Sequence, residues 1–241
     1  MDLPVETILI ILKNGEITIQ GEFLWGSNYT FLAEVSRGEQ HFPAVYKPTR
    51  GERPLWDFPI ASLAGREVAA YLVSEALGWE LVPPTVYRAE GPIGQGSLQQ
   101  FVEHNPDYHY FSFNRKDRRR LKKVALFDSL VNNADRKGSH ILIAPDDHLW
   151  LIDHGLCFHV ENKLRTVIWD FAGEPLPDDF CDDLQRFRQS LEQSSAIVSA
   201  LDEYLAPEEI QALVRRADRL LASGRFPSPH PNRRHQPWPP L

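Results

Sequence analysis

The stretch that most constrains this chain runs from Val131 through Asn133-Ala134-Asp135-Arg136 to His140, and continues past two short apolar runs to Trp150-Leu151-Ile152-Asp153-His154-Gly155. Ile141-Leu142-Ile143 and Leu149-Trp150-Leu151-Ile152 flank Pro145-Asp146-Asp147, a turn signal, so the pair reads as a β-hairpin. A loop before such a hairpin and a turn after it can converge, which would bring Asp135, His140 and Asp153 together as three potential metal or proton ligands. A carboxylate directly after a buried strand is costly unless it is paired, hydrogen-bonded or metal-bound. Taken singly, Asp135 could initiate a turn and Asp153 could cap one. At this spacing the two point instead to the two-aspartate site of phosphoryl transfer.

Composition sets the outer limits. With 241 residues, 42% hydrophobic and 11% aromatic, the chain can bury a substantial core as one large domain or as two lobes around a cleft. A formal charge of −7 argues against a protein whose main task is nucleic-acid binding. Cys157 and Cys181 are the only cysteines, too few for a disulfide framework or a zinc site, which fits a reducing compartment. The N-terminus lacks the basic start of a secretory signal, and no apolar run is long enough for a bilayer. A soluble cytoplasmic protein without stable membrane insertion is expected.

Along the chain, Ile8-Leu9-Ile10-Ile11-Leu12 ending at Asn14-Gly15 reads as a short helix with a left-handed cap. Two strands follow, at 17–23 and 31–35, joined through Gly26-Ser27-Asn28, a turn that can aim backbone N–H groups at phosphates but by itself is most simply a hairpin. Lys47 ends the next apolar strand. A lysine there either lays its stem along the sheet with its amine in water or reaches inward to nucleotide phosphates. From Ser62 to Leu77 an amphipathic helix is expected, with Val68, Tyr71 and Leu72 near helical spacing and Gly78 as its stop. Glu67 and, two turns on, Glu75 are its candidate partners for Lys47. The irregular insert 50–59 carries Trp56 and could cover a ligand or pack on the sheet.

Two more strands, at 83–88 and 97–103, precede a helix over 114–132. That helix opens with seven basic residues against one acidic in the nine positions Arg115–Lys123. The alternatives are a solvated helix end and a surface for an anionic partner. Helices are expected over 178–191, 195–205 and 207–221, the last started by Pro207-Glu208-Glu209. Residues 223–241, rich in Pro, Arg and His, read as a flexible extended arm.

Asp135-Arg136, His140 five residues after the aspartate, the hairpin and then Asp153-His154-Gly155 resemble the catalytic loop and metal-binding Asp-x-Gly turn of the phosphatidylinositol 3/4-kinase-like branch of the protein-kinase fold. The chain as a whole looks like a bacterial family related to that branch. The resemblance implies an α+β, two-lobe fold, with a β-rich N-lobe over 1–103 and a helical C-lobe over 104–222. It implies ATP and Mg²⁺ or Mn²⁺ as cofactors and phosphoryl transfer to an unidentified acceptor, whether protein, lipid head group or small molecule.

Carried over residue by residue, Lys47 held by Glu67 would orient the phosphates, and Ser27 and Asn28 would lie in the phosphate-covering loop. Backbone groups at Gln100, Phe101 and Val102 would meet the adenine. Asp153 and His140 would hold the cation, Asp135 would act on the acceptor hydroxyl, and Arg136 would steady the loop or the transferring group. One position departs from the family pattern: His140 stands where asparagine is usual, and imidazole is a softer ligand that suits magnesium less well. Two other classes follow from that departure. One is a nucleotide-binding pseudokinase scaffold. The other is a metal-dependent hydrolase using Asp135, His140, Asp153 and His154, with His159 as a further candidate, which leaves Lys47 and Glu67 without a role.

Overall fold

The computed structural model describes residues 3–23, 28–192 and 195–241. It begins with helix α1 (Val5–Asn14) and strands β1 (Glu16–Glu22), β2 (Phe31–Arg37) and β3 (Gln40–Pro48). Helix α2 (Leu63–Ala76) and strands β4 (Thr85–Arg88) and β5 (Gly96–Gln100) follow. The strands form one antiparallel sheet in the order β1-β2-β3-β5-β4. Side chains on a strand alternate between faces. On β3 this sends Ala44 and Tyr46 into a core with Ile8, Ile11 and Leu12 of α1, and Lys47 to the opposite face, where α2 lies.

The end of α1 differs from the sequence expectation. Gly15 is extended (φ −72°, ψ 161°) rather than left-handed. Its glycine character serves proximity instead, because a Cβ there would stand 2.6 Å from the Ile11 carbonyl oxygen and 2.7 Å from that of Ser36.

The second half contains α3 (Arg115–Val131), the hairpin β6 (Ile141–Ile143) and β7 (Leu149–Leu151), and helices α4 (Asp178–Ser190), α5 (Ala196–Asp202) and α6 (Pro207–Ser223). Asn114 caps α3 by accepting from the N–H groups of Lys116 (2.7 Å) and Asp117 (3.0 Å). Asn132 ends it in the left-handed region at φ 57°. Leu121, Val124, Phe127 and Val131 form the buried face and meet α4, α6 and the hairpin in the larger of two cores. Although α2 belongs by sequence to the first half, Ala69, Ala70, Tyr71, Val73 and Leu77 pack into this larger core. Burying a Leu- or Val-sized side chain stabilises by roughly 1.5–3 kcal/mol. The helix that bears Glu67 is thereby tied to the half that carries Asp135 and Asp153.

The arm after α6 has no helix or strand, yet it is not a free arm. The Pro240 carbonyl accepts from the N–H of Gly138 (2.8 Å), and the His235 carbonyl accepts from Thr166 N (3.1 Å) and Trp169 Nε1 (3.0 Å). The reason is local: the 135–140 loop and the 165–169 segment leave backbone donors that a proline-rich chain, supplying mainly carbonyls, can satisfy. Among the described residues no helix is long and apolar enough to cross a membrane.

Candidate functional site

A cleft between the sheet and the helical half is lined by Tyr29, Lys47, Glu52, Glu67, Asp135, Asp153 and Gly155. Lys47 Nζ pairs with Glu67 Oε1 and lies 3.0 Å from Asp153 Oδ1. The other Glu67 oxygen accepts the backbone N–H of His154 at 2.9 Å, so one buried carboxylate joins the lysine to the turn that carries Asp153. Gly155 permits this approach. A Cβ there would stand 3.3 Å from Leu63 and 3.8 Å from Glu67 Oε1, pressing on the first turns of α2. Asp153 itself sits at φ 62°, a left-handed conformation that costs energy and is tolerated best by Asn, Asp and Gly.

Electrostatics sharpen the contrast between the two aspartates. Desolvation in the cleft is the largest single influence on the Asp153 carboxyl and would raise it, but the Lys47 ammonium and its hydrogen bond, together with His140 and His154, outweigh it and hold the group far below the ordinary range. Lys47 is raised in turn, since the Asp153 and Glu67 carboxylates more than offset its own desolvation. Asp135 pairs only loosely with Lys137, at 3.4 Å, and burial together with repulsion from Asp153 pushes it up to about 6. The cleft thus holds one firmly ionised aspartate and one poised near neutrality, the separation that lets two carboxylates take different roles.

His140 is buried, with Nε2 3.4 Å from Asp153 Oδ2, and burial drops it to about 3, so it is neutral. Its Nδ1 faces the Lys137 N–H at 3.5 Å, the outer limit of a hydrogen bond. A lone pair at Nε2 therefore requires only a tautomer change that gives up a weak contact. The Nε2–Oδ2 separation is close to the spacing of about 3 Å shown by two adjacent ligands of one small cation. The donor set fits a divalent ion whose remaining ligands come from elsewhere.

Arg136, a catalytic candidate by sequence, does not reach the cleft. The side chain is fully buried; Nε donates to both oxygens of Asp128 (3.0 and 3.1 Å), Nη1 to the carbonyls of His140 (3.3 Å) and Ile152 (2.8 Å), and Nη2 to His154 Nε2 (2.8 Å). A guanidinium takes this place because its fork satisfies several carbonyls and a carboxylate at once. Arg136 holds the loop and cannot touch a transferring group.

The same bond settles His154. A guanidinium only donates, so Nε2 must accept and the proton sits on Nδ1, 4.0 Å from Glu67 Oε2. With His154 fully buried and His159 edge-on to Phe58, neither ring faces the cleft. Among the described residues no group of three or more His, Cys, Asp or Glu side chains converges as a metal site. His154 and His159, which the hydrolase reading would add to Asp135, His140 and Asp153, thus lie away from the cleft.

The remaining candidates are less central. Ser27 lies outside the described residues. Asn28 lines the cleft, where its Oδ1 accepts the Arg53 N–H at 2.9 Å and ties the loop to the 50–59 insert. Gln100, Phe101 and Val102 do not line this part of the cleft, and the Phe101 N–H is already given to the Pro43 carbonyl (3.0 Å), so it cannot serve an adenine. The basic run of α3 is largely paired within the molecule, Lys116 and Arg120 with Asp147, Arg118 with Asp170 and Lys122 with Glu174. Sequence reasoning passed over Asp128 and Glu52. Asp128 falls on the apolar face of α3, where a carboxylate demands a buried cation, and that misplaced charge was the available signal. Glu52 accepts from Leu63 N and Ala64 N and caps α2 from a distance, which no local pattern announces.

The two-lobe α+β architecture and the lysine–glutamate–aspartate cleft define a protein of kinase-like fold. The family of phosphatidylinositol 3- and 4-kinases matches residues 60–203. Protein Rv2133c of Mycobacterium tuberculosis (strain ATCC 25618 / H37Rv) is 42% identical over 95% of this chain and 94% of its own length. Phosphatidylinositol 4-kinase gamma 4 of Oryza sativa subsp. japonica is 30% identical over 68% of the chain, which spans 35% of that longer protein. The chain belongs to the phosphatidylinositol 3- and 4-kinase family. Solved structures share the fold at low identity. A Golgi casein kinase with Mn/ADP bound gives a TM-score of 0.59 at 14% identity, over 91% of this chain and 75% of that one. The Helicobacter pylori proinflammatory kinase CtkA gives 0.53 at 14%, over 89% and 94%.

Proposed function

We propose that this protein is an ATP-dependent phosphotransferase that moves a phosphoryl group to an acceptor hydroxyl with the help of a divalent cation. The observation that carries the reading is Lys47 Nζ held between Glu67 and Asp153 in one cleft with Asp135. Bound nucleotide would supply the phosphoryl group, and the cation would neutralise its phosphates. Lys47, kept protonated by two carboxylates, orients the phosphate oxygens. Glu67 fixes the lysine and, through the His154 N–H, the register of the Asp153 turn. Asp153 and His140 would hold the cation. Asp135, poised near neutrality, accepts or orients the proton of the acceptor hydroxyl.

His140 also supports a second reading, a nucleotide-binding pseudokinase, because a buried imidazole replaces the family's usual amide ligand. A thermal-shift titration with ATP, with and without Mg²⁺ or Mn²⁺ and beside Asp153→Ala, separates the cases. Ligand at about 100 Kd adds roughly 2.7 kcal/mol of apparent stability. A cation-dependent rise lost in the variant, together with ATP turnover, supports the phosphotransferase; a rise without turnover under either cation supports the pseudokinase. No rise with any nucleotide sinks both.

A further inference from the structure

Three arginines are buried among the described residues: Arg66, Arg136 and Arg216. The first two obey the rule for buried charge. Arg66 pairs with Glu209 and Arg136 with Asp128. Arg216, on α6, is 8% exposed and has no carboxylate at ion-pair distance among the described residues. Its Nε donates to the Leu130 carbonyl (2.7 Å) and Nη1 to that of His159 (3.2 Å), while the buried Nη2 has no partner. A cation taken out of water without a counter-ion is expensive, and an unpaired buried donor adds to the cost. Burial and repulsion from Arg219 and Arg215 lower its pKa to about 10, the same imbalance seen from the proton side.

Arg216 lines a cavity of about 420 Å³ that shares no lining residue with the cleft and also holds Arg219 and Arg225. Leu164, Leu220 and Phe226 supply an apolar wall, and no acidic side chain lines it. Acids adjacent in sequence to its lining residues are paired elsewhere, Asp128 with Arg136, Glu161 with Lys163 at 3.7 Å and Asp218 with Arg188 at 2.6 Å. In a chain of net charge −7, a concave site with three arginines and no carboxylate selects anions. Its size and mixed lining are those of a small-ligand pocket.

We propose that this cavity binds an oxyanion carried on an apolar body, a phosphate or carboxylate with an alkyl or ring substituent. Arg216, Arg219 and Arg225 take the charge, and Leu164, Leu220 and Phe226 take the apolar part. The inference is independent of the phosphotransferase reading, since no residue is shared between the two sites.

The test is isothermal titration of the full chain with three probes: octyl phosphate below its micellar concentration, inorganic phosphate, and octyltrimethylammonium. Saturable 1:1 binding of octyl phosphate is expected, at least about tenfold tighter than inorganic phosphate, with the cationic amphiphile not bound. The exposed pair Arg219→Ala with Arg225→Ala should weaken it at least about tenfold without disturbing the fold. Lys47→Ala should leave it unchanged. Arg216→Gln should abolish it; if that variant misfolds, the exposed pair decides. Equal binding of the cationic amphiphile, equal affinity for bare phosphate, loss of binding in Lys47→Ala, or indifference to the arginine pair each overturns the proposal.

Discussion

Replacing Asp135 by asparagine should make the protein more stable at neutral pH while removing the candidate base. Desolvation and the neighbouring Asp153 push the Asp135 carboxyl from 3.8 to about 6 in the folded state. Between those values the folded chain holds a proton that the unfolded chain has released. Stability from this group is therefore complete below about pH 4 and lost as pH rises through about 6. The full shift corresponds to roughly 3 kcal/mol. With 28% of the side chain exposed, solvent screening reduces the expected effect to about 1–2 kcal/mol. The amide of Asp135→Asn carries no such titration, so the variant should match the wild type near pH 4 and exceed it by that amount at pH 7–8. The assay is urea unfolding of both proteins across that range in chelator, read by circular dichroism and tryptophan fluorescence together, with coincidence of the two confirming a single transition. A difference that does not grow with pH, or a variant less stable at pH 8, would refute the electrostatic account of Asp135.

Other outcomes follow from the same contacts. Glu67→Gln removes a charge-assisted bond worth about 1.5–3 kcal/mol, so kcat/KM for ATP should fall roughly 10- to 100-fold; unchanged kinetics would remove Glu67 from the site. His140→Asn substitutes a harder oxygen donor, and the ratio of Mg²⁺- to Mn²⁺-supported turnover should rise, which a metal titration of initial rates measures. Arg136→Met leaves Asp128 buried and unpaired and should cost about 3–5 kcal/mol, whereas adding Asp128→Leu should recover part of that loss in denaturant melts. Strict additivity of the two changes would contradict the buried pair.

The helices and strands were legible because their signals are local. Asn114 before the Leu121-Val124-Phe127-Val131 face, the Asp-Asp turn between two apolar runs, and Pro207-Glu208-Glu209 each announce an element within a few residues. The positions of Lys47, Glu67, Asp135 and Asp153 in one cleft were legible only as spacing joined to a family resemblance, since nothing in a single strand says what faces it. Gly15 misled because a glycine after a helix fits both a left-handed cap and a close approach of backbone, and only the neighbouring Ser36 decides between them. The arm at 223–241 was legible only in part for a related reason. Its composition reports the absence of helix and strand, but whether its carbonyls find donors depends on the 135–140 loop and the 165–169 segment.

What the sequence by itself determined is the order and type of the elements and the residue types available for phosphoryl transfer, because these follow from propensity, periodicity and side-chain chemistry. Tertiary structure alone decided which charges are spent on the fold and which remain for function. Arg136 and Asp128 neutralise each other out of water, whereas Lys47, Asp153 and Asp135 stay at the cleft. The reason is physical: the cost of burying a charge depends on the partner that folding brings to it, and those partners lie 20 to 106 residues away in Lys47–Glu67 and Lys47–Asp153.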